Sequence, residues 1–179
     1  MKLTSGNLFL EIISNEDLDF ICQIECDREL WQYEESVETD LDTVWRKYNQ
    51  RLADKAKPKR YDFLICLQQG ETIEKIGLAQ IWSYIDFRES WEIGFAVLPE
   101  YSGKGYGGKA AELLLKWGFE GLGAHKIVGM CNAQNIASSS VMERIGMTRE
   151  GIFRGELMWR GQWTDQYYYS ILEKEYTLK

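Results

Sequence analysis

VLPEYSGKGYGGKA, residues Val97 to Ala110, places glycine at positions 103, 105, 107 and 108. The stretch satisfies G-x-G-x-x-G at Gly103, Gly105 and Gly108, and it misses G-x-x-x-x-G-K-[ST] because Ala110 stands where a hydroxyl residue belongs. A dinucleotide site wants its first glycine at the end of the preceding strand and an acid about 20 residues beyond to hold a ribose. Here Pro99-Glu100-Tyr101-Ser102 intervenes, and no Asp or Glu occurs between Glu120 and Glu143. A triphosphate loop needs a hydroxyl for magnesium and an Asp ending a later apolar strand, and neither is present. What remains is a cradle of backbone N–H groups at the start of a helix, suited to a pyrophosphate without magnesium.

The flanking sequence reads as alternating short elements. Asn7 to Ser14 is a strand. A short helix from Asn15 carries Leu18, Ile21, Cys22 and Ile24, and a second, with Thr39 as N-cap, carries Leu41, Val44, Trp45, Tyr48 and Leu52. Tyr61 to Leu67, Glu74 to Tyr84 and Trp91 to Leu98 form an antiparallel meander joined at Gln68–Glu71 and Asp86–Glu89. After the glycines come a helix with Ala110, Leu113, Leu114 and Trp117, a strand from His125 to Cys131, and a helix through Val141–Ile145. Two strands, Met147 to Arg154 and Trp163 to Leu172, close the chain. One domain over residues 1–179 is expected, since 45% apolar content in 179 residues supplies a core.

The formal charge of −7 argues against a nucleic-acid ligand and suits a cationic partner. The basic run Lys55 to Arg60 reads as a solvated loop. No run approaches the ~18 apolar residues of a membrane helix, and the start lacks a signal-peptide core, so a cytoplasmic protein without membrane association is expected. Cys22, Cys26, Cys66 and Cys131 form no C-x-x-C pair and His125 is the single histidine, so no metal site is expected and the thiols read as reduced.

The glycine stretch, followed by Asn135-Ile136-Ala137-Ser138-Ser139-Ser140-Val141-Met142-Glu143-Arg144-Ile145-Gly146-Met147 and Glu150-Gly151, closely resembles the GNAT N-acetyltransferases, and more narrowly their ribosomal-protein N-terminal acetyltransferase branch. The resemblance covers essentially the whole chain. It implies an α/β (α+β) GNAT fold: a central mixed, mostly antiparallel sheet of about seven strands flanked by about four helices. It also implies acetyl-CoA as co-substrate, its pyrophosphate held by Gly103, Lys104, Gly105, Tyr106, Gly107 and Gly108, and its pantetheine arm paired along Phe95, Ala96, Val97 and Leu98. Ser102 stands where the family usually has Arg or Gln, a side chain that a backbone cradle does not need.

Acetyl transfer from a thioester to an amine requires a neutral amine and a proton for the departing thiolate. His125, opening a strand beside Lys126, reads as structural. In Trp91-Glu92-Ile93-Gly94-Phe95-Ala96-Val97 the large apolar residues share one face and leave Glu92, Gly94 and Ala96 on the other. Glu92 is thus either a solvent-facing glutamate or a base acting through water, and the resemblance favours the base. Gly94 is expected to mark a bulge that splays the strand. Where many family members place a proton-donating tyrosine, seven residues after Asn135, this chain has Met142. In that branch the acid role falls to Ser138, with Asn135 holding pantetheine or a water; both also suit a helix cap.

Trp31 to Glu35, Trp82 to Tyr84 and a closing hairpin with Trp159 and Trp163 are expected to surround the acceptor, although Trp31, Tyr33 and Trp82 taken singly read as core or lid packing, and Asp165 is expected to fix a turn. The acceptor reading is a protein or peptide N-terminal amine, with a small cationic amine such as a polyamine or aminoglycoside as alternative, on a monomer or homodimer. A non-catalytic CoA-binding module is the reading from another class.

Overall fold

The computed structural model describes residues 1–54 and 59–176. Strands β1 (Lys2–Ser5) and β2 (Leu8–Ile12) lead into helices α1 (Leu18–Glu25) and α2 (Leu41–Ala53). The meander follows as β3 (Arg60–Gln69), β4 (Thr72–Ile85) and β5 (Ser90–Val97), then α3 (Tyr106–Lys116), β6 (Lys126–Asn132), α4 (Ile136–Arg144), β7 (Thr148–Trp159), β8 (Gln162–Leu172) and a terminal turn of helix, α5 (Glu173–Tyr176). The strands make one eight-stranded sheet in the order β1-β2-β3-β4-β5-β6-β8-β7, and among the described residues β5 with β6 is its parallel pair. Strand β1 and helix α5 are the additions to the expected pattern: each is only four residues long and carries too few apolar side chains to set a period.

The sheet is covered on both faces, which explains the near-continuous apolar run in β3. Phe63, Ile65 and Leu67 point to the face covered by α3 and α4, whereas Leu64 and Cys66 point to the face covered by α1 and α2. Leu8 and Leu10 divide from Phe9 in the same way. No helix among the described residues is long and apolar enough to cross a membrane.

Local chemistry sets the helix starts. Ser14 and Asp17 exchange hydrogen bonds before α1. Asp40, rather than Thr39, caps α2: its carboxylate accepts from the Asp42 N–H at 3.1 Å and the Thr43 hydroxyl at 2.6 Å, while the Thr39 N–H is drawn to Glu38. The basic run also reads differently. Lys55 to Pro58 lie outside the described residues, Lys59 pairs with Asp86 at 2.8 Å, and Arg60 is not loop but the first residue of β3, its Nε donating to Asp62 at 2.9 Å.

Candidate active site

The site begins where two strands part. Strand β5 pairs with β6 only through Ser90↔Lys126, Trp91↔Ile127 and Glu92↔Val128, although β5 runs on to Val97 and β6 to Asn132. Each keeps its other neighbour along the way, β4 for the one and β8 for the other. The facing edges of Ile93–Val97 and Gly129–Asn132 thus lack a strand partner and open a fork with Glu92 at its base. The bulge expected at Gly94 is absent, for Gly94 stays in register with Gln80; the splay comes instead from pairing that ends at Glu92.

A cleft of about 980 Å³ runs through this fork. At one end it is lined by the glycine turn leading into α3. Gly103 and Gly105 have φ of 74° and 81°, a region that L side chains rarely adopt, and a Cβ at either would meet nothing within 4 Å, so the cradle stands open for a ligand. Phe95, Ala96, Val97, Gly103, Gly105, Tyr106, Gly107 and Gly108 all line the cleft. Leu98 and Lys104 do not: the Leu98 N–H is spent on the Ile76 carbonyl at 2.9 Å, and Lys104 Nζ donates to the Glu100 carbonyl at 2.9 Å.

Opposite β5, the turn from β6 into α4 brings Asn135 and Ser138 to the cleft. Asn135 caps α4, its Oδ1 accepting from the Ser138 N–H at 3.0 Å. Burial pushes the Cys131 thiol up to about 11, and a hydrogen bond with the Ser138 side chain holds it back; the thiol is neutral at physiological pH. Met142 is buried beneath, 3.1 Å from where a Cβ on Gly129 would stand.

Glu92 is half-buried, and desolvation pushes its carboxyl up to about 7 against the opposing pull of the Trp82 side chain and Arg60; Glu34 adds to the rise. Glu34 is itself shifted upward by desolvation on the cleft wall and by Glu35. Beneath them lies a polar network that the sequence reading missed. Tyr48 donates to Glu25 at 2.7 Å, Gln80 donates to Tyr48 at 2.9 Å and to Asp62 at 2.8 Å, and Arg60 joins Asp62 while stacking over Trp82 at 5.0 Å. Arg60 and Asp62 are two residues apart, but the bonds that join Glu25, Tyr48, Gln80 and Asp62 span 18 to 32 residues, so no local spacing signals the network.

Trp31, Tyr33 and Trp82 line the acceptor end together with Glu25, Glu29, Glu34 and Glu38. Trp163 does not: it is 67% exposed and lies outside the cleft. Trp159 acts on the wall from behind, stacked on Tyr33 with ring centroids 5.7 Å apart. Asp165 accepts from the Gly155 N–H at 2.8 Å, fixing the irregularity of β7 between Phe153 and Leu157. His125 is structural in position, its N–H and carbonyl bound to Glu89 and Glu173 backbone. No cluster of three or more His, Cys, Asp or Glu suited to a metal occurs among the described residues.

Residues 7–148 match an acetyltransferase (GNAT) domain. The chain is 31% identical to the "Uncharacterized N-acetyltransferase YnaD" of Bacillus subtilis, over 98% of this chain and 99% of that one. It is 28% identical to the "Putative ribosomal N-acetyltransferase YdaF" of the same organism, over 79% of this chain and 73% of the relative. In fold it is similar to a spermidine N-acetyltransferase from Vibrio cholerae solved in complex with CoA and spermine, with a TM-score of 0.86, 24% identity, and 97% of this chain and 99% of that one covered.

Proposed function

The chain belongs to the GNAT acetyltransferases, enzymes that use acetyl-CoA to acetylate an amine, and we propose that its preferred acceptor is the free N-terminal amine of a protein or peptide. The observation that carries this reading is the position of Glu92 at the base of the fork, half-buried, with a carboxyl raised to about 7. An α-amine ionises near ~8 and an alkyl ammonium near ~10.4, so proton transfer to Glu92 is nearly balanced for the first and steeply uphill for the second.

The open glycine cradle and the unpaired edge of Ile93–Val97 fit a pyrophosphate joined to a peptide-like arm, which is the form of CoA. When bound, acetyl-CoA supplies an activated acetyl thioester. Phe95 to Val97 orient the arm by backbone hydrogen bonding, with Gly103 to Gly108 holding its phosphates. Glu92 receives the proton of the acceptor ammonium through a water in the fork. Ser138 faces the same space from α4 and would relay the remaining proton of the acylated nitrogen to the departing sulfur, its own hydroxyl being restored in the exchange, and Asn135 would fix the helix start that aims it. Cys131, neutral beside Ser138, adds no charge there.

The acidic acceptor end, with Glu25, Glu29, Glu34 and Glu38 against Lys47 and Arg60, favours a second reading, a polyamine acceptor, as in the spermidine-acetylating relative. A competition assay at pH 7.5 between peptides with a free N-terminus and spermidine separates the two. The peptides are expected to win in kcat/KM; a clear preference for spermidine would replace the N-terminal assignment with the polyamine one.

A further inference from the structure

The acceptor wall is the part of the site with the least hydrophobic support. From Glu25 to Thr43 no residue is buried, so its path depends on individual polar ties rather than on a core. One tie is local, Trp31 Nε1 to the Ile24 carbonyl at 2.8 Å. Two come from β7: Trp159 Nε1 donates to the Gln32 carbonyl at 2.7 Å, and the Met158 N–H donates to Glu35 at 2.8 Å. Another comes from the turn that carries the catalytic side chains. Asn132, only 4% exposed, donates its Nδ2 to the Tyr33 carbonyl at 3.2 Å. The same side chain accepts from the Gln134 N–H at 2.9 Å, inside the turn that delivers Asn135 and Ser138.

We propose that Asn132 is a positioning residue that bridges the Asn135–Ser138 turn to the acceptor loop at Tyr33 and thereby sets the affinity for the amine. The inference rests on the acetyltransferase reading of the cleft. An amide is the group required, because the site needs one donor and one acceptor from a single buried side chain, and the loop carbonyl and the turn N–H take one each. The turn has anchors of its own: the Ala133 N–H donates to the Asp165 carbonyl at 2.9 Å, and the Asn135 N–H to the Asn132 carbonyl at 2.8 Å. Among the described residues, the other hydrogen bonds that tie the loop around Tyr33 come from β7 and from its own neighbours. Loss of the Asn132 donor therefore loosens the loop more than the turn.

Asn132→Asp separates the two bonds, since a carboxylate still accepts from Gln134 but faces the Tyr33 carbonyl with no hydrogen. With the best amine found for the wild type, acceptor KM is expected to rise roughly tenfold or more, with kcat within about threefold. Calorimetric CoA affinity should stay within about twofold, and hydrogen exchange at residues 29–36 should accelerate. Trp159→Phe, which removes the Gln32 tie without touching the turn, should raise acceptor KM in the same sense and guards against a misfolded Asn132 variant. Unchanged acceptor KM and exchange in Asn132→Asp, or an equal loss of CoA affinity, would overturn the proposal. If the wild type acetylates no amine offered, the substrate reading fails alone, and exchange at residues 29–36 still decides whether Asn132 holds the loop.

Discussion

The two ends of the cleft are built by different physics. The end lined by the glycine turn is built from backbone: a strand edge released from pairing after Glu92 and a turn with φ of 74° and 81° at Gly103 and Gly105, a form suited to an anion. Both parts lie within one stretch of sequence, Ile93 to Gly108. At the acceptor end no residue from Glu25 to Thr43 is buried, and the wall is drawn together by side chains arriving from β6 and β7, about a hundred residues away in sequence. A site can thus keep its cofactor chemistry while its acceptor wall is rebuilt by changes scattered through the chain. Relatives named for ribosomal and for spermidine acetylation fit that division.

The division can be broken at its shared point. Ser138 sits between the two ends, and Ser138→Ala is expected to lower kcat about 10²-fold, the scale of a general acid, with CoA affinity and acceptor KM both nearly unchanged. A parallel loss of CoA affinity would show that Ser138 merely starts its helix. Gly105→Val tests the cofactor end alone. A β-branched residue at φ 81° is strained and disturbs the turn that holds the N–H groups, so the CoA dissociation constant should rise about 10- to 100-fold by calorimetry. Acceptor KM at saturating acetyl-CoA should hold steady; a joint rise would mean that the two ends are not separable.

The smallest effect sharpens the role of Glu92. Its carboxyl ionises near 7 in the folded chain and near ~4.3 when unfolded, so wild-type stability declines as pH rises from about 4.3 to 7 and is level above that. Glu92→Gln removes the decline. Its melting temperature should exceed that of the wild type by about a few degrees at pH 8, with little difference near pH 4.5. The same variant should move the acid limb of kcat/KM from about 7 toward the pKa of the free amine. An unmoved limb would take Glu92 out of the mechanism.

How much of this was legible in the chain follows the same line. The meander, α3, β6 and α4 are each announced by apolar spacing, and Gly103 to Gly108 and the run from Asn135 to Met142 are contiguous, so their reading needed only local rules. The misreadings are tertiary in origin. Arg60 looks like the end of a basic loop because the Trp82 ring it stacks on is set opposite it only by the pairing of β3 with β4. Gly94 looks like a bulge because a glycine in a strand often is one, whereas the strand parts through a loss of partner. Trp159 and Trp163 are four residues apart on one hairpin, yet one backs Tyr33 and the other is two-thirds exposed, because Trp163 pairs with Met158 and so lies on the opposite face from Trp159. Nothing beside Asn132 in the sequence hints at Tyr33.

The sequence by itself determined the family and the order of the main elements, because backbone conformation and periodic burial are written in neighbouring residues. Only the tertiary structure decided that Glu92 stands where two strands separate, that its carboxyl is raised by desolvation, and that the Asn132 side chain bonds both the Gln134 N–H and the Tyr33 carbonyl. Those properties depend on distance and dielectric between residues far apart in the chain, quantities that exist only once the sheet has closed around them.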